Sequence, residues 1–235
     1  MIEFKKYFLK SVKSTNQEVK KYRQKQNFFQ SIALLTEIQT KGRGRGTNIW
    51  ISNKGDLICS FLINEDFNAH DFGKINIIVT VLIIRTLKQI FNDLNFKIKW
   101  PNDIYLEEKK IGGILIENSI KNNVIEYIVI GFGFNIITSP SNLKYKTTRI
   151  LDYQKKIEPD IIFMKLVEMF EMNSVNNLLT SFEKIKNEWL SFSKDLGKEI
   201  RFFHNNSYIN GKIVSVSNEG ELKIKTNNDL KIIRY

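Results

Sequence analysis

Arginine alternates with glycine at Gly42-Arg43-Gly44-Arg45-Gly46. Glycine lets backbone come close to a ligand, and each guanidinium offers forked donors to a phosphate or carboxylate. No Lys-Ser/Thr follows, so this is not a Walker loop, and Thr47 replaces the third glycine of a dinucleotide fingerprint. An anion site, a solvated basic loop and an arginine–glycine contact to nucleic acid are all compatible with it. A second concentration of chemistry is Lys99-Trp100-Pro101-Asn102-Asp103, where an apolar run ends in a turn that sets an amide beside a carboxylate. Asn102 could read an adenine edge through a paired donor and acceptor, and Asp103 could take Mg2+ or hold a lysine. Pro-Asn-Asp is equally good hairpin-turn chemistry. Lys110 then precedes Ile111-Gly112-Gly113 in a run ending at Glu117. Across a hairpin Lys110 would lie beside Asp103; otherwise it is an exposed lysine. Gly131-Phe132-Gly133-Phe134-Asn135 is a third place where backbone is accessible.

No Ser-His or Cys-His pairing presents itself. Cys59, the single cysteine, sits in an apolar run, and the two histidines, His70 and His204, are expected at the surface or at helix ends. This inventory excludes a disulfide scaffold and a Cys/His zinc site. A 42% hydrophobic content with 17 Phe excludes a disordered chain. The longest apolar run, residues 75–84, is too short to cross a bilayer, and no secretory start is visible. A soluble cytoplasmic protein is the expectation. Thirty-six Lys and Arg against 25 Asp and Glu give a net charge of +11. Lysine-rich coding and an anionic partner are both compatible with that charge.

These residues need elements to hold them. Thr15-Asn16-Gln17-Glu18 has capping-box spacing and predicts a helix starting there. Apolar runs predict strands at 31–38, 56–63, 96–100, 111–117 and 124–132, and a buried helix at 72–91. Residues 161–171 and 178–192 have helical spacing. After Gly197 short β-like runs follow at 199–203, 208–216, 221–225 and 230–233, as in a small barrel. The expected organisation is a large mixed α/β unit over 1–193 and a small β-barrel over 194–235.

Taken together and in order, these motifs resemble those of the biotin–protein ligases. They are Ser14-Thr15-Asn16, Gln39, Gly42-Arg43-Gly44-Arg45, Trp50, Lys99 to Asp103, Lys110 with Gly112-Gly113, and Gly131-x-Gly133-x-Asn135. The resemblance implies a mixed-sheet catalytic domain of the biotin/lipoate ligase type with an SH3-like C-terminal barrel. It also implies formation of biotinyl-5′-AMP from biotin and ATP, with Mg2+ on the phosphates and no separate metal site. Biotin would then pass to a lysine of the biotin carboxyl carrier domain of a carboxylase. By the same resemblance Ser14, Thr15 and Asn16 bond the biotin ring, while Gln39, Gly42, Arg43, Gly44 and Arg45 line biotin and the adenylate phosphate. Trp50 closes over the ligand, Asn102 meets adenine, and Lys110 sits near the carboxylate and α-phosphate. Gly112, Gly113 and Asn135 complete the binding set, with Arg45, Lys110 and Asp103 as its catalytic members. Many relatives carry a later arginine in the loop where this chain has Asn48. The motifs begin almost at Met1, which suggests the monofunctional type without a DNA-binding domain. The competing readings are a lipoate or octanoate ligase or transferase of the same fold, and a basic nucleic-acid-binding module.

Overall fold

The computed structural model describes residues 2–25, 30–141, 143–204, 207–227 and 229–234. The side chain of His204 lies outside the described set, so its expected surface position does too. The chain opens with β1 (Phe4–Val12), α1 (Thr15–Lys25), β2 (Ser31–Gln39), β3 (Leu57–Ile63) and the two-residue β4 (Phe67–Asn68). Helix α2 (Phe72–Ile90) leads to β5 (Phe96–Lys99), β6 (Asp103–Leu106), β7 (Lys109–Lys121) and β8 (Val124–Phe134). Helices α3 (Pro159–Met172), α4 (Val175–Thr180) and α5 (Phe182–Phe192) follow. The chain ends in β9 (Glu199–His204), β10 (Ser207–Val216), β11 (Leu222–Lys225) and β12 (Leu230–Ile233).

The main sheet is mixed, in the order β1-β2-β3-β8-β7-β6-β5, with β4 also on β8. Strands β1 and β2 run parallel, so α1 must cross over between them. Side chains alternate across a strand, and here the two faces have different work. Leu57, Cys59, Phe61, Ile114, Ile116, Ile130, Phe132 and Phe134 belong to the main core cluster with α2 and α3 residues. Phe61 lies against Phe163 and Phe170 of α3. Helix α2 is buried along most of its length, and its Thr80 and Thr86 hydroxyls return to the carbonyls of Asn76 and Leu82. On the opposite face α1 packs, with Val19 meeting Ile32, Leu34, Leu62 and Val129, and beside that cluster the face borders a cavity. Strands β9–β12 form a separate four-stranded antiparallel sheet, the C-terminal β unit expected from the sequence. The segment leading into it is held to the first sheet, where Lys194 N donates to the Ile98 carbonyl of β5.

Four expectations are corrected. Strand β1 precedes α1 where only a lead into the helix was read, because its burial alternates weakly and it lies at the sheet edge. The helix cap is Ser14, whose carbonyl accepts the Glu18 N–H, and not Thr15. The Thr15 N–H and hydroxyl both turn to Gln39 Oε1, so the capping box is not made. Asp103 belongs to β6 rather than to a free turn. Residues 178–192 are not one helix: α4 ends at Thr180 and α5 starts at Phe182.

One buried carboxylate organises the segment that follows β8. Asp56 Oδ1 accepts the backbone N–H groups of Ile136, Ile137 and Thr138, and Oδ2 accepts the Thr138 hydroxyl. Asp56→Ala strands those amides, so denaturant unfolding should show a loss of about 3 kcal/mol. Asp56→Asn, which keeps an acceptor, should recover part of it.

Candidate active site

Between α1, the arginine–glycine loop and the open face of β3, β7 and β8 lies a cavity of about 800 Å3. A strand normally fills such a face with every second side chain. Here Gly131 and Gly133 of β8 and Gly113 of β7 occupy that face, with Gly113 directly opposite Gly133. Their missing side chains are used. A Cβ on Gly133 would sit 2.3 Å from the Trp50 indole, and one on Gly131 would sit 2.3 Å from Asn16 Oδ1.

The base of the cavity is a polar network. Ser60, fully buried in β3, lies with its Oγ 2.7 Å from Thr15 Oγ1 and 2.6 Å from Asn16 Oδ1. Thr15 donates from N and Oγ1 to Gln39 Oε1 at 2.8 and 3.1 Å. Asn16 Nδ2 donates to Glu117 Oε2 at 2.8 Å. Ser14 lines the same end.

The loop from Gly42 to Trp50 folds back on itself: Trp50 N donates to Gly42 O, and Gly44 N to Asn48 O. That return carries the Trp50 ring over the paired glycines. Its Nε1 is buried with no hydrogen-bond partner among the described residues. Arg43 does not point free into the cavity. Its Nη2 donates to both Glu117 oxygens, at 2.9 and 3.0 Å. Arg45 stands over the Trp100 ring, 5.9 Å from its centroid.

At the other end β6 and β7 bring Lys110 Nζ to 2.6 Å from Asp103 Oδ1. The ammonium also faces the rings of Trp50 and Tyr145, 5.6 and 5.1 Å from their centroids. Asn102 lines the cavity and donates from Nδ2 to the Ile114 carbonyl at 2.7 Å. That spends one of its two amide hydrogens, leaving one donor and one acceptor for a base edge. Of the residues singled out in the sequence, Ser14, Thr15, Asn16, Gln39, Arg43, Gly44, Arg45, Trp50, Asn102, Asp103, Lys110 and Gly113 line this cavity together.

Three residues of the motif set do not line it and support its frame instead. Gly42 lets Trp50 and Gln39 pass closely, since a Cβ there would lie 2.2 Å from the Trp50 carbonyl. Gly112 lies under Phe134. Asn135 borders a much smaller cavity beside Trp50, and its Nδ2 donates to the Thr148 carbonyl. Sequence reasoning missed Ser60, Glu117 and Tyr145. A lone hydroxyl inside the apolar run of β3 was the available signal for the first. Tyr145 lies in an irregular segment without periodicity. Cys59 is buried, and burial pushes its thiol far above its usual range, so it is no nucleophile.

The sequence profile of the biotin/lipoate A/B protein ligase family matches residues 8–135. The chain is 26% identical over 206 residues to the bifunctional ligase/repressor BirA of Bacillus subtilis, covering 85% of this chain and 63% of that protein. It is 28% identical over 168 residues to the human biotin–protein ligase, covering 63% of this chain and 23% of the human protein. The chain therefore spans less than two thirds of the length of these relatives. It is also similar to the solved biotin protein ligase of Aquifex aeolicus in complex with biotin and ATP. That likeness has a TM-score of 0.80 and 27% identity, covering 99% of this chain and 96% of that one.

Burial opposes ionisation of Glu117, but the Asn16 amide, Lys20 and Arg43 outweigh it and hold the carboxyl below the usual glutamate range. A depressed folded-state value makes its stabilisation complete above the ordinary glutamate range, and lost as pH falls through the folded value. Denaturant unfolding of wild type and Glu117→Gln between about pH 7 and pH 3 should show a wild-type advantage that vanishes at the acid end. A difference constant across that range would contradict the assignment.

Proposed function

As the chain belongs to the biotin/lipoate A/B protein ligase family, we propose that it is an ATP-dependent biotin–protein ligase. It forms biotinyl-5′-AMP and passes biotin to a lysine of a biotin carboxyl carrier domain. The observation that supports biotin over lipoate or octanoate is the polar base of the cavity. Ser14, Thr15, Asn16, Gln39 and Ser60 converge there. A ureido ring has donors and an acceptor to match such a base, whereas a dithiolane or alkyl chain would leave it desolvated and unpaired. A nucleic-acid module has no comparable feature in its favour, since the concentrated chemistry lies inside a cavity rather than along a basic surface.

The reaction must bring two anions together. A carboxylate oxygen of biotin attacks the α-phosphorus of ATP, the new O–P bond forms, and the bond to pyrophosphate breaks. Lys110, Arg45 and Arg43 supply positive charge around that path, and Asp103 orients the Lys110 ammonium. Glu117 takes up Nη2 of Arg43, and the remaining guanidinium N–H groups are the ones to meet the ligand. Mg2+ would arrive on the nucleotide phosphates and offset part of their charge. In the second step the neutral amine of a carrier lysine attacks the acyl carbon, AMP departs with the bonding electrons, and the nitrogen gives up one proton to solvent. The mixed anhydride needs shelter from water between the two steps. Trp50 and Tyr145 over Lys110 supply an apolar cover. No enzyme nucleophile is required. We place the reaction in the cytoplasm, and no described helix is long and apolar enough to cross a membrane. A basic chain of net charge +11 favours encounter with an acidic carrier.

Incubation with ATP and either biotin or lipoate, followed by mass spectrometry, should yield biotinyl-AMP and no lipoyl-AMP; the reverse would overturn the biotin reading. In single-turnover adenylate formation, Lys110→Ala should lose roughly 10²–10³-fold in rate and less in biotin affinity. Lys110→Arg should recover only part, because a planar fork does not replace a compact ammonium.

A further inference from the structure

Glu117 is the meeting point of three segments that build the cavity. It projects from β7, is half-buried, and faces Asn16 and Lys20 of α1 together with Arg43 of the glycine–arginine loop. Its Oε2 accepts from Asn16 Nδ2 at 2.8 Å and lies 3.3 Å from Lys20 Nζ, while Arg43 Nη2 reaches both oxygens. An ionised carboxylate only accepts, so it dictates which end of the Asn16 amide faces it. With Nδ2 held toward Glu117, Asn16 Oδ1 is left facing Ser60 Oγ at 2.6 Å. The orientation of the amide, and that of the Ser60 hydroxyl facing it, follows from one negative charge outside the cavity wall. The same charge holds the side chain of Arg43, and with it one limb of the loop that carries Trp50.

We propose that Glu117 is a positioning residue that aligns the two ends of the cavity, orienting Asn16 at the acid-binding base and holding Arg43 in the anion-binding loop. This rests on the biotin-ligase reading of the same cavity. Glu117 touches no reacting atom; it acts through Asn16 and Arg43. Three partners on one carboxylate also explain why a partly buried charge is tolerated beside a ligand that is itself anionic.

Two substitutions separate its two jobs. In Glu117→Gln the amide carbonyl still accepts from Asn16, but the side chain loses its charge and presents a donor toward the Arg43 guanidinium. In Glu117→Ala both interactions are absent. Free-biotin affinity, measured by calorimetry without ATP, should fall roughly ten- to a hundredfold in Glu117→Ala and stay within about threefold in Glu117→Gln. Tryptic cleavage after Arg43 and Arg45, read by mass spectrometry, should accelerate several-fold in both variants. Wild-type biotin affinity in Glu117→Ala would overturn the Asn16 role, and unchanged cleavage would overturn the Arg43 role. Equal losses of affinity in the two variants, tracking equal losses in melting temperature, would reduce Glu117 to a structural residue. A wild-type protein that binds no biotin overturns the ligase reading itself, while the cleavage comparison still reports on Glu117 and Arg43.

Discussion

A sheet covered on one face by helices has no room for a ligand on the other unless side chains are missing there. Everything in the site depends on that constraint. Gly113, Gly131 and Gly133 clear the middle of the open face, and the space is taken by Trp50, by Asn16 and by the cavity itself. The flanking residues on the same face, Ser60 and Glu117, keep polar side chains that pair with α1 and the loop. The opposite face of the same strands is largely apolar and packs in one core with α2 and α3. The rigid half of the sheet therefore fixes the positions of groups on the reactive half.

Charge is distributed along the cavity in a way that suits a ligand with a polar head and an anionic tail. The base holds neutral donors and acceptors, and the far end holds Lys110 with its Asp103 partner. Between them the loop arginines are held off the cavity centre, Arg43 by Glu117 and Arg45 over Trp100. An anion entering between these cations finds them already oriented, which lowers the reorganisation needed when charge shifts during adenylate formation.

The parts of this architecture that bury apolar side chains were legible in the sequence. Strands β2, β3 and β8 and helix α2 announce themselves as apolar runs because most of their side chains are buried. Strand β1 was not legible, because an edge strand with exposed Lys5, Lys6 and Lys10 shows no clean alternation. The glycine–arginine loop, the Asn102-Asp103 pair and Lys110 stood out because their residue types are unusual for simple packing. Gly42, Gly112 and Asn135 stood out equally but support the frame, a distinction that spacing along the chain cannot make. Glu117 was hidden for the opposite reason. A glutamate closing an apolar run is ordinary until its three partners, drawn from distant segments, are seen around it.

The glycine floor is tested most directly by filling it. In Gly133→Val a branched side chain would enter the space of the Trp50 ring, where even a Cβ would stand 2.3 Å from the indole. The measurement is biotinyl-adenylate formation, with thermal unfolding run alongside to confirm a folded protein. The expected result is a cooperative unfolding transition close to that of wild type and adenylate formation reduced by roughly a hundredfold or more. A folded Gly133→Val protein that forms the adenylate at the wild-type rate would contradict the glycine floor as the basis of the site.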